Sequence, residues 1–277
     1  MAATSGGPNN EGYWFRGYTL VYLIFLYAPI VLLPIFAFNN SAVVAFPLSG
    51  FTTEWFSKLW ENPPLHQAVK NSLIIAVSVS ILATTLGIFT ARATTRYNFP
   101  LKGGIVGLIM LPLVLPEIIL AISLLVVLLG LGVKLSIFTV ILGHTLVCTP
   151  FSIAILTSAF QTLDKSMEEA AMDLGETAAS TFRLIVLPLV MPGIISSMLI
   201  AFTISLDEFI ISFFIAGTEP VLPVYIFSQF RFPQAVPVIL ALGTILVCLS
   251  ITLLAIAEYF RRRGIAKTGG KDTGGFL

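Results

Sequence analysis

The sequence predicts an all-α, polytopic membrane protein with six transmembrane helices. Of its 277 residues 57% are hydrophobic and 10% charged, with mean hydropathy +0.97, whereas soluble domains carry about 25% charge. Its 15 basic and 14 acidic side chains are too few to form the polar skin of a soluble domain of this length. Soluble enzymes, nucleic-acid binders and disordered chains are thereby excluded. Six apolar stretches are long enough to cross a hydrocarbon core of roughly 30 Å. They are continuously apolar and do not alternate, which selects helices over barrel strands.

The stretches run near 19–38, 72–91, 103–129, 135–160, 187–215 and 236–257. The first follows a polar tail and ends at Asn39-Asn40-Ser41 without a small-x-small cleavage site, so it reads as a retained span and not a signal peptide. Pro112 and Pro116 in the third, Pro150 in the fourth, and Pro188 and Pro192 in the fifth predict kinks. The fifth stretch is the least regular, with Asp207 and Glu208 inside it. Cys148 and Cys248 lie in apolar runs without metal-ligand spacing and read as small buried residues; no metal site is expected.

Basic residues set the orientation. Eleven fall on one side: Arg16, Arg92, Arg96, Lys102, Lys165, Arg183, Arg261, Arg262, Arg263, Lys267 and Lys271. Four fall on the other: Lys58, Lys70, Lys134 and Arg231. Both termini are therefore expected in the cytoplasm. In the first outer loop, helical spacing aligns Phe51, Trp55 and Leu59 on one face, an aromatic anchor at the membrane interface or a surface for docking and solute entry.

The loop between the fourth and fifth stretches reads Asp-Lys-Ser-Met-Glu-Glu-Ala-Ala-Met-Asp-Leu-Gly-Glu from Asp164 to Glu176. Five acids on a helix-forming core predict an exposed short helix outside the bilayer. Ala170 and Ala171 give it a closely approachable face, Gly175 permits a sharp turn, and Pro188 marks re-entry into the membrane. The expected element is a helix, a turn and a second short helix, suited to a soluble partner.

Glu169-Ala170-Ala171, Gly175 and Ile185-x-Leu187-Pro188, at these spacings, resemble the EAA motif of the permeases of binding-protein-dependent ABC importers. The resemblance implies the type I importer-permease fold, over a membrane domain of 18–260 with its core at about 68–257. It leaves cytoplasmic tails at 1–17 and 261–277. It further implies a bacterial cytoplasmic-membrane location and a coupling role for Glu169, Ala170, Ala171, Gly175, Ile185, Leu187 and Pro188. The implied partners are a homologous permease, two ATP-binding subunits and an extracytoplasmic solute-binding protein. No G-x-x-x-x-G-K-[ST] segment occurs, so ATP and Mg are expected on the partner, with no cofactor in this chain and no enzymatic activity of its own. Within the family the resemblance extends to the second permease subunit of spermidine/putrescine importers. It is carried by 50–55, 116–125 and 202–208.

Ionisable groups in apolar segments cost about 2.5–3.5 kcal/mol on insertion scales, so Glu117, Asp207 and Glu208 each call for a role. A straight helix rising 1.5 Å per residue carries Glu117 about 21 Å from Gly103, and Asp207 about 27–30 Å from Leu187. A polyamine presents ammonium groups separated by methylenes, which spaced carboxylates and aromatic walls suit. Glu117, Asp207, Glu208 and Trp55 are the candidate solute route, and Glu117, Asp207 and Trp55 match positions that the resemblance links to substrate handling. The other reading ties each acid to a neighbouring helix or to His144, which itself reads as a packing histidine. Glu258 reads as a helix-end ion pair with Arg261 and Arg262. The rival class is an ion-driven secondary transporter or channel that uses these acids for protons.

Overall fold

A backbone in lipid must satisfy its own N–H and C=O groups, so the apolar stretches become helices. This computed structural model describes residues 10–249 and 251–252; Glu258, the basic cluster 261–263, Lys267 and Lys271 lie outside them. The helices are α1 (Asn10–Ala37), α2 (Glu54–Trp60), α3 (Pro63–Arg96), α4 (Lys102–Met110), α5 (Glu117–Gly130) and α6 (Ile137–Gln161). There follow α7 (Lys165–Asp173), α8 (Ala178–Thr181), α9 (Leu187–Asp207), α10 (Ile210–Ile215), α11 (Leu222–Gln229) and α12 (Pro233–Leu249). The described residues divide into two compact units, one of 63–228 and one of the segments flanking it.

In the unit 63–228, α3, α6 and α9 pack on one another. The buried side of α3 is rich in small residues, among them Ala68, Ala76, Ala83 and Ala91, which let helices approach closely where lipid gives no hydrophobic drive to association. Polar side chains join the helices: Thr84 and Ser197 hydroxyls lie 3.1 Å apart, and the Cys148 thiol donates to the Ala201 carbonyl at 3.7 Å. One apolar core, with Val79, Val147 and Ile211, draws on α3, α5, α6, α9 and α10. A second, around Leu156, Phe160 and Val190, draws on α3, α6, α9 and the turn 182–186 that leads into α9.

In the flanking unit, α1 is followed by a loop pinned at Asn39. Its Oδ1 accepts from the Ser49 backbone N–H at 2.9 Å, and its carbonyl accepts the Trp55 indole N–H at 2.8 Å. Phe38 stacks on Phe51 with centroids 5.2 Å apart.

Among the described residues four helices are long and apolar enough to span, or five spans with one bent pair counted as a single span, and the sixth stretch, 236–257, extends past those residues. Several sequence expectations are corrected. The bent pair is the third stretch, which is not straight: Lys102–Leu113 and Glu117–Gly130 meet at 102°. Pro112 and Pro116 withhold backbone donors there, and Pro116 adopts extended dihedrals before α5. The 21 Å depth of Glu117 presumed a straight helix and does not hold. The fifth stretch ends its long helix at Asp207, because Glu208 turns to extended dihedrals before α10. Phe51 precedes α2 and is exposed, whereas Trp55 and Leu59 are buried, so the three do not form one helical face. Cys248 is exposed, not buried, while Cys148 is buried as expected.

Candidate functional site

The EAA segment folds as the expected helix–turn–helix. Asp164 caps α7, its carboxylate accepting the Ser166 backbone N–H at 2.9 Å. That bond, and a lesser one to the Ser166 side chain, hold the Asp164 carboxyl below the usual carboxylate range. At the other end Glu176 N–H bonds to the Ala171 carbonyl and Gly175 N–H to the Met172 carbonyl, with Gly175 at φ +94°. This is a Schellman motif, and its left-handed residue is why glycine stands there. Thr177 caps α8, accepting from Ser180 N–H at 3.2 Å, and the Ser180 hydroxyl donates to Glu176.

The surface of this element is divided. Ala171 is buried, while Glu169, Ala170, Met172 and Gly175 are exposed and Leu174 is 88% exposed. Glu169 pairs with Lys165 one turn earlier at 3.2 Å. Glu168, expected on an exposed helix, is instead buried. Its carboxylate accepts from Arg96 Nε at 2.6 Å and lies 3.9 Å from Arg92 Nη2, while Arg96 also donates to the Leu163 carbonyl at 3.1 Å. Arg92 in turn lies over the Phe182 ring at 4.2 Å. The end of α3 thus clamps the start of α7. Sequence reading treated Arg92 and Arg96 only as topology markers; their one-turn spacing opposite an acid-rich loop was the available signal.

Ile185, Leu187 and Pro188 lie at the junction of α8 and α9. Phe182–Val186 form a π turn in which Leu187 N–H reaches back to the Phe182 carbonyl. Pro188 has no N–H to donate, and its ring would crowd the carbonyl four residues earlier; the wider turn relieves that crowding. The result is one continuous helix, Ala178–Asp207, of 30 residues. The motif's last three positions stand near one end of it and Asp207 is its final residue.

At that far end Glu117, Asp207 and Glu208 line a single cleft of about 580 Å³ together with Phe151, Thr203 and Phe209. Asp207 and Glu117 are exposed to it, whereas Glu208 is 9% exposed and accepts the Ile211 backbone N–H at 3.0 Å, which caps α10. His144 bonds to none of these acids. Its ring nitrogens lie 2.9 Å from the hydroxyls of Ser205 and Ser212, so it is the packing histidine that the sequence suggests. Trp55 belongs to the flanking unit, where its indole is bound to Asn39 and covered by the Lys58 ammonium at 4.6 Å.

Residues 83–265 match the family described as binding-protein-dependent transport system inner membrane component. The chain belongs to this family. It is 35% identical over 247 residues to the spermidine/putrescine transport system permease protein PotC of Escherichia coli (strain K12), covering 89% of this chain and 93% of that one. It is 37% identical over 231 residues to the putrescine transport system permease protein PotI of the same strain, covering 80% and 82%. A bacterial ABC transporter involved in the import of the acidic polysaccharide alginate shares the fold, with TM-score 0.71 and 13% identity over 94% of this chain and 99% of that one. The same holds for the alginate transporter solved in complex with a pentasaccharide-bound periplasmic protein, with TM-score 0.66 and 19% identity over 91% and 93%. This permease is therefore a multi-pass membrane transport subunit of the ABC importer class.

Proposed function

We propose that this permease carries a polyamine such as spermidine or putrescine across the cytoplasmic membrane, driven by ATP hydrolysis on a partner. The observation that carries the reading is the continuous helix 178–207, with the EAA motif's Ile185, Leu187 and Pro188 near one end and Asp207 at the other. A rise of 1.5 Å per residue makes Pro188 to Asp207 about 28 Å, nearly the hydrocarbon thickness. The names of the 35% and 37% identical relatives support the solute class.

In this reading α7 and α8 face the cytoplasm, as do both termini. The exposed side of α7, with Glu169, Ala170, Leu174 and the Gly175 turn, seats in one of two ATP-binding subunits that hold ATP and Mg. Arg96 and Arg92 fasten α7 to α3 through Glu168, so displacement of α7 moves α3 and the helix 178–207 as one body. The cleft at Asp207 then changes its access. ATP binding shifts this equilibrium only through its different affinity for the two states of the ATPase pair. A homologous permease completes the pore, and an extracytoplasmic binding protein delivers the solute.

The cleft suits the cargo. Glu117, Asp207 and Glu208 offer carboxylates to spaced ammonium groups, and Phe151 and Phe209 offer apolar walls and ring faces to the methylenes and charges between. The test is uptake of labelled spermidine and putrescine by cells lacking this gene and complemented with it, beside co-purification of an ATP-binding subunit. Restored uptake with a bound ATPase is expected; ATPase binding with restored uptake of another solute class, and none of polyamine, overturns the cargo.

A further inference from the structure

We infer that His144 is a positioning residue for solute recognition: it fixes the break between α9 and α10 that turns Asp207 and Glu208 toward the cleft. The inference rests on the reading of that cleft as the solute route.

The break is short. The long helix ends at Asp207, Glu208 takes extended dihedrals and α10 starts at Ile210, so only Glu208 and Phe209 separate the two helices. Such a joint holds its angle only if each side is tied to a third element. The α6 helix is that element. Its Thr139 hydroxyl donates to the Ile215 carbonyl at 2.8 Å at the end of α10. One turn on, Gly143 lets α10 come close: a Cβ there would lie 2.7 Å from Ile215 Cδ1 and 2.8 Å from Ile211 Cγ2. Next to it, His144 reaches both sides of the break, with Nδ1 2.9 Å from Ser205 Oγ in α9 and Nε2 2.9 Å from Ser212 Oγ in α10.

The imidazole suits this task. One ring nitrogen donates and the other accepts, and a serine hydroxyl complements either, so both bonds form with a single rigid plane between them. His144 and Ser212 have no exposed surface and Ser205 is 4% exposed, so neither bond competes with water. Ser205 lies two residues before Asp207, and Ser212 four after Glu208. Glu208 adds its own tie by capping α10 at the Ile211 N–H. The imidazole is not among the residues that line the cleft, and it acts through the joint.

The test uses the assembled importer and initial rates of labelled spermidine uptake. His144→Phe keeps the ring volume and loses both bonds; it is expected to raise KM about tenfold, the worth of two ordinary hydrogen bonds, with the amount of co-purified ATPase unchanged. His144→Gln can still donate to one serine and accept from the other, and should return KM to within about threefold of the parent. His144→Phe combined with Asp207→Asn should cost less than the product of the two single effects, because both act in part on Asp207. If His144→Phe fails to assemble, the paired Ser205→Ala and Ser212→Ala variant carries the same expectations. An unchanged KM, or effects that multiply in the combined variant, overturns the inference. Normal uptake by Asp207→Asn overturns the route reading itself. A defective Asp207→Asn beside a normal His144→Phe overturns only the role of His144.

Discussion

Replacing Glu168 with alanine should undock the EAA element from α3. The wild-type carboxylate accepts from Arg96 Nε at 2.6 Å, with Arg92 Nη2 at 3.9 Å, and the side chains of Glu168 and Arg96 are only 10% and 11% exposed. A charge-assisted bond of this kind is worth about 1.5–3 kcal/mol, and removing one partner of a buried pair costs about 3–5 because the other charge is stranded. The pair borders a cleft of about 240 Å³ at the edge of the unit, where water can reach the stranded guanidinium groups, so the low end applies. About 3 kcal/mol is roughly a hundredfold in the docking equilibrium. Amide hydrogen exchange of 165–174 in the purified importer reads this directly, and the expected result is loss of protection by that factor. Glu168→Leu with Arg96→Met should recover much of it, since replacing both members by apolar groups strands no Arg96 charge. Undocking should also lower uptake per ATP hydrolysed. Unchanged protection in Glu168→Ala would show that the clamp does not hold α7.

Gly175→Val should abolish most uptake at normal expression. Nothing lies within 4 Å of an added Cβ, so the cost is the left-handed backbone at φ +94°, about 1–2 kcal/mol, and full uptake would remove the turn from coupling. Asp207→Asn should reduce uptake of a cationic solute by about tenfold, the worth of one charged contact, and an unaffected initial rate removes Asp207 from the route. Asp164→Ala should weaken protection of the first turn of α7, whereas Asp164→Asn, which still caps, should not. Because the folded carboxyl of Asp164 sits below its ordinary value, its contribution is present above the unfolded value and fades as pH falls through the folded one. Acidification below about pH 4 should therefore loosen α7 in the wild type and change Asp164→Asn less, which exchange at graded pH can follow.

The EAA element was legible because its signals are local. Fixed spacing, a capping aspartate and a glycine that must take positive φ define the helix, turn and helix without knowledge of the rest of the chain. The place of Asp207 was legible in part, since α9 runs unbroken from Leu187 to it. Glu117 was not, because the prolines that break the third stretch announce a bend without its angle. Glu168 was misjudged for another reason: its partner Arg96 lies 72 residues earlier, and only folding brings them together. The hydroxyls that hold His144 are likewise 61 and 68 residues away in other apolar runs, where no periodicity links them.

The central claim is that ATP on a partner drives a polycation through this permease. Reconstitution of the importer in liposomes, with ATP on the cytoplasmic face and labelled spermidine with its binding protein on the other, tests it most directly. The account predicts accumulation that needs ATP, stops with vanadate and persists when proton and sodium gradients are collapsed. Uptake that proceeds without ATP and follows an ion gradient would contradict it and favour the secondary-transporter reading of the same acids.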